Sequence, residues 1–253
     1  MDVTDERVAG ARAFAASVKG PISQLGGGFM RYRGTRAVGE RFGLGRWPLY
    51  VAGRAGVLGG VDADVVAAAL VFFPTDWVRE QWASARHLAD PAEVHAAYAE
   101  ACRDWGRDKL AGLDGAGRLA ELGELVARAA EPAGKTLFAG WRAVPLPEDP
   151  HGRAAQVLQV LRELRGGAHG LAVLANGLTP LEAIVSGPLG PPNAEFFGWP
   201  PPYPAPAPLA DRRQRAEDAT DDLMAGPYGV LDEPERDEFA VLLTAADAKA
   251  FPA

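Results

Sequence analysis

Over the first 180 residues no run alternates apolar with polar side chains, whereas apolar residues recur at spacings of three and four. That pattern leaves no two-faced strand to build a sheet from, so the body is restricted to helices packed on helices. The punctuation agrees. Asp62 and Thr75 precede apolar-periodic stretches, and Asp90-Pro91-Ala92-Glu93 supplies a cap, a proline for the first helical position and a glutamate for a capping box. Asp114 opens a further helix, residues 135–142 form a short one, and His151 begins another after a proline-broken linker at 144–150. Near the amino terminus, Gly20-Pro21 reads as the end of a first helix and Gly26-Gly27-Gly28 as a flexible loop.

The chain has 253 residues, 48% of them hydrophobic, enough for one large domain or one plus a small one. A single cysteine, Cys102, excludes an intramolecular disulfide and fits a reducing cytoplasm. The opening residues MDVTDERV are acidic, no apolar leader follows, and the longest apolar run, 65–73, is too short to span a bilayer. A soluble cytoplasmic protein with no membrane partner is expected. The net charge of −7 argues against nucleic acid as a partner, because such binders carry a basic face. Arg31, Arg33, Arg36, Arg41 and Arg46 cluster in one stretch and are read as solvated or paired surface residues. Arg54 differs, because it sits among Val51, Ala52, Ala55 and Val57 and needs a carboxylate or an anionic ligand as partner.

The character changes after residue 178. Thr179-Pro180-Leu181-Glu182 repeats the capping signature, but nine prolines fill residues 188–208 and predict extended or polyproline-like chain there. Trp199 and Tyr203 are expected to anchor that stretch. Charged residues 209–224 and the stretch 234–246 predict two closing helices. The expected fold class is therefore mainly all-α, with a multi-helix, bundle-like body over residues 1–178. Residues 179–253 would form a short tail of proline-rich segment plus C-terminal helices.

Several segments together carry a resemblance. They are Arg142-Ala-Val-Pro-Leu-Pro147 with Pro150-His151, Leu161-Arg-Glu-Leu-Arg-Gly-Gly-Ala-His169, and Tyr50-Val-Ala-Gly-Arg-Ala-Gly-Val-Leu-Gly59. Val71-Phe-Phe-Pro74, residues 215–222 and Pro227-Tyr228 add to them. The chain resembles an actinobacterial family of helical proteins labelled helix-turn-helix-like, whose motif reads LREHRGxGH. The resemblance implies a winged-helix-like module after the Gly-Leu at 177–178. Here prolines occupy that place, so the tail is expected to be a degenerate winged helix, and Leu164 stands where a histidine is usual.

The family's most recognisable motif also holds the candidate site. Arg162, Arg165 and His169 share a helical face, Glu163 points elsewhere, and Gly166-Gly167 allow close approach of a backbone or ligand. Arginine forks suit carboxylate or phosphate, and histidine carries protons near neutrality. Arg54, Arg142 and His151 would join them as ligand-binding residues, with His169 as the catalytic group. The same pattern also fits an ion-pair network that pins helices together. No metal-ligand spacing and no cofactor motif is present. The leading expectation is a protein or enzyme of bacterial specialised metabolism that binds a small, anionic molecule. A DNA-binding transcriptional regulator and a helical interaction module forming a homodimer are the alternatives.

Overall fold

In a computed structural model, which describes residues 3–252, thirteen α-helices and no strand are found among the described residues. The central element is α9 (Pro150–Ala175), and five helices pack on it: α1 (Val3–Gly28), α6 (Pro91–Lys109), α7 (Ala116–Ala129), α8 (Thr136–Ala143) and α12 (Ala210–Tyr228). Asp149 accepts a hydrogen bond from the Gly152 amide at 2.7 Å and Pro150 occupies the first turn, so the start of α9 is fixed locally. At 26 residues it is about 39 Å long. From residue 154 to 161 every side chain is buried, polar Gln156 and Gln159 included. A helix covered on all sides loses the one-sided apolar stripe of a surface helix.

Such dense packing changes the amino-terminal reading. Neither Gly20-Pro21 nor the glycine triplet breaks the chain, and α1 runs through both. A β-carbon on Gly26 would lie 2.6 Å from the Leu158 carbonyl oxygen, and one on Gly28 would lie 2.6 Å from the Trp105 ring. These glycines therefore let α1 lie against α9 and α6. They do not loosen the backbone into a loop.

Two shorter helices follow, α2 (Arg33–Phe42) and α3 (Arg46–Ala55). Gly43, at φ +67°, ends α2 in the left-handed region, and the Leu44 amide bonds back to the Gly39 carbonyl at 2.8 Å. Packed against α3 are α6 and α5 (Thr75–Leu88), and α4 (Ala63–Ala69) lies on α5. Asp62 caps α4 through the Asp64 amide at 2.8 Å.

The carboxy-terminal part contributes to the main core. Tyr228 on α12 and Phe239, Leu243 and Ala246 on α13 (Glu233–Ala250) are buried in the same apolar cluster as α1 and α9. A second, smaller cluster gathers Val173, Leu178, Ile184, Val185, Ala194 and Leu209. It is held by α10 (Pro180–Val185), whose Thr179 and Glu182 form the expected capping box, and by α11 (Gly190–Phe196). That α11 exists corrects the wholly extended reading of 188–208. Its prolines, Pro191 and Pro192, lie in the first turn, where the missing amides have no helical partner to lose. Trp199 does anchor the segment, donating from its indole to the Phe72 carbonyl at 3.0 Å. No strand, and so no wing, occurs in this tail among the described residues. No helix among the described residues is long and apolar enough to cross a membrane.

Gly26→Ala should lower stability by about 1–3 kcal/mol, the usual cost of overpacking against a backbone that cannot retreat. A β-carbon on Gly166 would meet nothing within 4 Å, and Gly166→Ala should raise stability by about 0.5–1 kcal/mol. Urea midpoints at unchanged m-value decide the pair, and similar midpoints for both variants would contradict the packing argument.

Candidate functional site

Arg54 on α3 and Glu163 on α9 meet in the interior. The guanidinium donates to both carboxylate oxygens, at 2.9 and 2.8 Å, with side chains 11% and 3% exposed. Gln159 donates to the same carboxylate at 2.7 Å, and Arg162 stands 3.4 Å from it. Arg54 also hydrogen-bonds the Tyr50 hydroxyl. Burial disfavours ionised Glu163, yet the Arg54 charge and these hydrogen bonds outweigh it and hold its pKa below the usual carboxylate value. Arg54 thus has the carboxylate partner its apolar surroundings demanded, and Glu163 points at that partner.

Between two and six residues further along α9 lies a second polar group. Arg165 pairs with Glu217 at 3.2 Å and approaches Asp221 at 3.8 Å, both on α12, and Lys19 of α1 stands 3.5 Å from Glu217. His169 Nδ1 lies 2.9 Å from the Thr220 hydroxyl oxygen, and its ring stacks on Phe72 with centroids 5.5 Å apart. The Thr220 proton goes to the Ala216 carbonyl at 2.6 Å, so the hydroxyl accepts and the histidine donates from Nδ1. Burial pushes the His169 pKa down to about 4; Glu217 opposes this, and the charges of Arg165, Arg213 and Lys19 add to it.

The structure brings three of the six sequence-predicted residues to one cavity. Arg54, Arg162 and Arg165 line a space of about 340 Å³, walled by Phe72, Leu137 and Leu171. Arg54 and Arg162 share Glu163, and Arg165 pairs with Glu217 and approaches Asp221. His169 lies on the side turned to α12 and is not among the lining residues. Arg142 caps the end of α7, donating to the Ala130 and Ala127 carbonyls at 2.7 and 3.2 Å. His151 is in the first turn of α9, about 27 Å along the axis from His169. Of the glycine pair, Gly167 packs on Lys135 of the segment before α8, and Gly166 is open.

A different cluster stands out in the sequence, where it reads as ordinary solvated surface. Residues 31–46 hold five arginines and one glutamate, a local charge of +4 that leaves −11 for the rest of the chain. They cover the turn before α2, the whole of α2, the Gly43 turn and the first residue of α3. Arg31, Arg33, Arg36, Arg41 and Arg46 are all exposed. Arg33 reaches Asp108 at 3.8 Å, and the other four have no carboxylate partner among the described residues. Elsewhere the arginines are largely committed: Arg79, Arg103, Arg107 and Arg118 are bound to surface carboxylates, and Arg153 to the buried Glu124. On α2 the exposed residues span an arc of about 140°, with Arg33, Arg36 and Arg41 on it.

The model of a helix-turn-helix family matches residues 15–197. No curated protein matches the chain, and no solved structure does. The family match overturns two expectations about partners, that nucleic acid is not one and that the partner is a small molecule. The net charge misled because it sums over the whole chain, whereas binding answers to a local patch.

Glu163→Gln should destabilise the fold by about 3–5 kcal/mol, because it strands a buried guanidinium. Replacing both partners with apolar residues should recover most of that loss in denaturant titrations. The His169 pKa lies below its unfolded value near 6.5, so the unfolded chain binds the extra proton. Stability should therefore fall as pH drops from about 6.5 towards 4, and His169→Gln should flatten that part of the profile. An unchanged slope would show that this histidine is not held neutral by the fold.

Proposed function

The chain belongs to the helix-turn-helix family, and on that premise we propose that it is a DNA-binding regulator. The observation that carries the reading is the set of exposed arginines at 31–46, four of them without a carboxylate partner among the described residues, placed on α2, the turn before it and the start of α3 across the Gly43 turn. Phosphate contacts supply most of a protein's sequence-independent affinity for DNA, and each releases condensed counterions. Free guanidiniums serve that purpose best. One already forked onto a carboxylate would have to exchange a partner for a phosphate, with little net gain.

Burial decides which helix makes the contacts. Leu49, Val51, Ala52, Gly53 and Ala55 of α3 are buried, and α5 and α6 pack on it. Little of α3 is left to enter a groove. The exposed face of α2 and the turn behind it supply the contacts instead, and these position the protein on the backbone. The acidic remainder of the molecule weakens this little, since charges beyond about 10 Å are screened at 0.1 M salt. A regulator of this kind works in the cytoplasm, which fits a chain that needs no disulfide.

Duplex DNA should bind with a marked salt dependence in fluorescence anisotropy. Arg36→Ala and Arg41→Ala should each weaken binding whatever the sequence and reduce the slope of log K against log salt by about 0.9. Arg118→Ala, whose partners Glu235 and Glu238 lie on α13, should leave binding as it was. Salt-independent binding, or arginine variants that match the parent, would sink the reading.

A further inference from the structure

Four of the five arginines at this surface lack a carboxylate partner among the described residues, and several lie over aromatic rings. The Arg41 guanidinium lies 5.0 Å from the Phe42 ring centroid, and Arg33 lies 5.7 Å from Tyr32. Arg46 lies over two rings, Trp47 at 4.8 Å and Phe196 at 5.1 Å. Trp47 is in turn fixed by edge contacts with Tyr50, Trp77 and Phe196, with centroids 5.8, 5.3 and 5.2 Å away. Phe196, at the end of α11, is 49% exposed, which is unusual for a ring of that size. Two further arginines stack on rings, but both are occupied. Arg54 is bound to Glu163, and Arg142 caps α7.

A guanidinium stacked on a ring is held as a plane, weakly hydrated, with its outer face and its N–H edge both available. Duplex backbone contacts need only the charge. Planar cations alternating with part-exposed aromatic rings suit a chain that offers unpaired bases as well as phosphates, since every base has a π-face to stack. The patch is positive on a molecule that is otherwise negative, so its charge selects a polyanion.

We propose that the surface made by residues 31–46 together with Phe196 holds single-stranded DNA. Bases would stack at Arg41–Phe42 and at Arg46–Trp47–Phe196, with phosphates on Arg31 and Arg36. This rests on the DNA-binding reading and adds to it the strand state that the surface prefers.

The test uses the full chain in anisotropy titrations against oligo-dT, oligo-U and a blunt DNA duplex, all of one length. Oligo-dT should bind roughly tenfold more tightly than the duplex, in keeping with one or more stacked bases. Phe196→Ala, at a half-exposed position where the fold should tolerate it, should collapse that preference. Arg46→Lys should do the same while keeping the salt slope, because lysine retains the charge and loses the plane. Duplex bound as tightly as oligo-dT, or a preference that survives both substitutions, overturns the inference and leaves DNA binding standing. Oligo-U preferred to oligo-dT overturns the assignment to DNA. No binding to any of the three removes the DNA-binding reading as well.

Discussion

The fork between Arg54 and Glu163 is the interaction on which the rest of this structure depends. Two ions taken out of water lose several kcal/mol of solvation each, and only tight geometry with further hydrogen bonds recovers that. Here Gln159 and Arg162 complete the set around a carboxylate 3% exposed, and the Tyr50 hydroxyl accepts from Arg54 on the other side. Such a pair adds little net stability compared with apolar side chains of the same shape. Its effect is on register, because it admits one rotation of α3 against α9. The position of α3 then fixes the turn at Gly43 and the direction of α2. The outer basic surface is thus tied to an inner ion pair.

Close approach between helices makes that geometry attainable. Gly26 and Gly106 face the backbone carbonyls of Leu158 and His151 on α9, at 2.6 and 2.4 Å from a notional β-carbon. Gly123 faces Val157 at 2.5 Å. Glycines on α1, α6 and α7 therefore bring three neighbours onto one central helix, and dispersion over many such contacts adds up. The loss of helix propensity at each glycine is offset by packing that no larger residue allows.

The distribution of charge separates structure from proposed function. Most arginines are bound to carboxylates, and surface pairs of that kind contribute little each to stability. They do, however, neutralise the body. What remains unpaired stands out at residues 31–46, where contact with the Phe42 and Trp47 rings stands in for ion pairing at Arg41 and Arg46. The cavity beside α9 is the opposite case, for each of its arginines has a carboxylate partner inside the fold. An arginine with a carboxylate is a structural element first, and one without is open to a partner.

The helical class, most helix starts and the Thr179–Glu182 capping box were legible in the sequence, because they depend on residues within one turn of each other. At Asp90 the cap forms through the Ala92 amide without the expected glutamate return, and the box at Asp232 and Glu235 went unread. Asp62, Asp90 and Thr179 cap where their local pattern placed them. The need of Arg54 for a partner was also legible, since its apolar neighbours were adjacent in the chain. The identity of that partner was not. Glu163 lies 109 residues away, and a periodicity argument says which residues share a face but not which helix covers it. For the same reason the glycine triplet at 26–28 read as a loop, because only the carbonyl of Leu158 shows why small residues are needed there. The grouping of Arg142 and His151 with the motif arginines supposed that the bundle closes around the motif helix so as to bring them together, and the fold sends them to the end of α7 and the start of α9. Local chemistry thus determined where most helices begin. Long-range packing decided which charges were consumed inside and which were left on the surface to meet a partner.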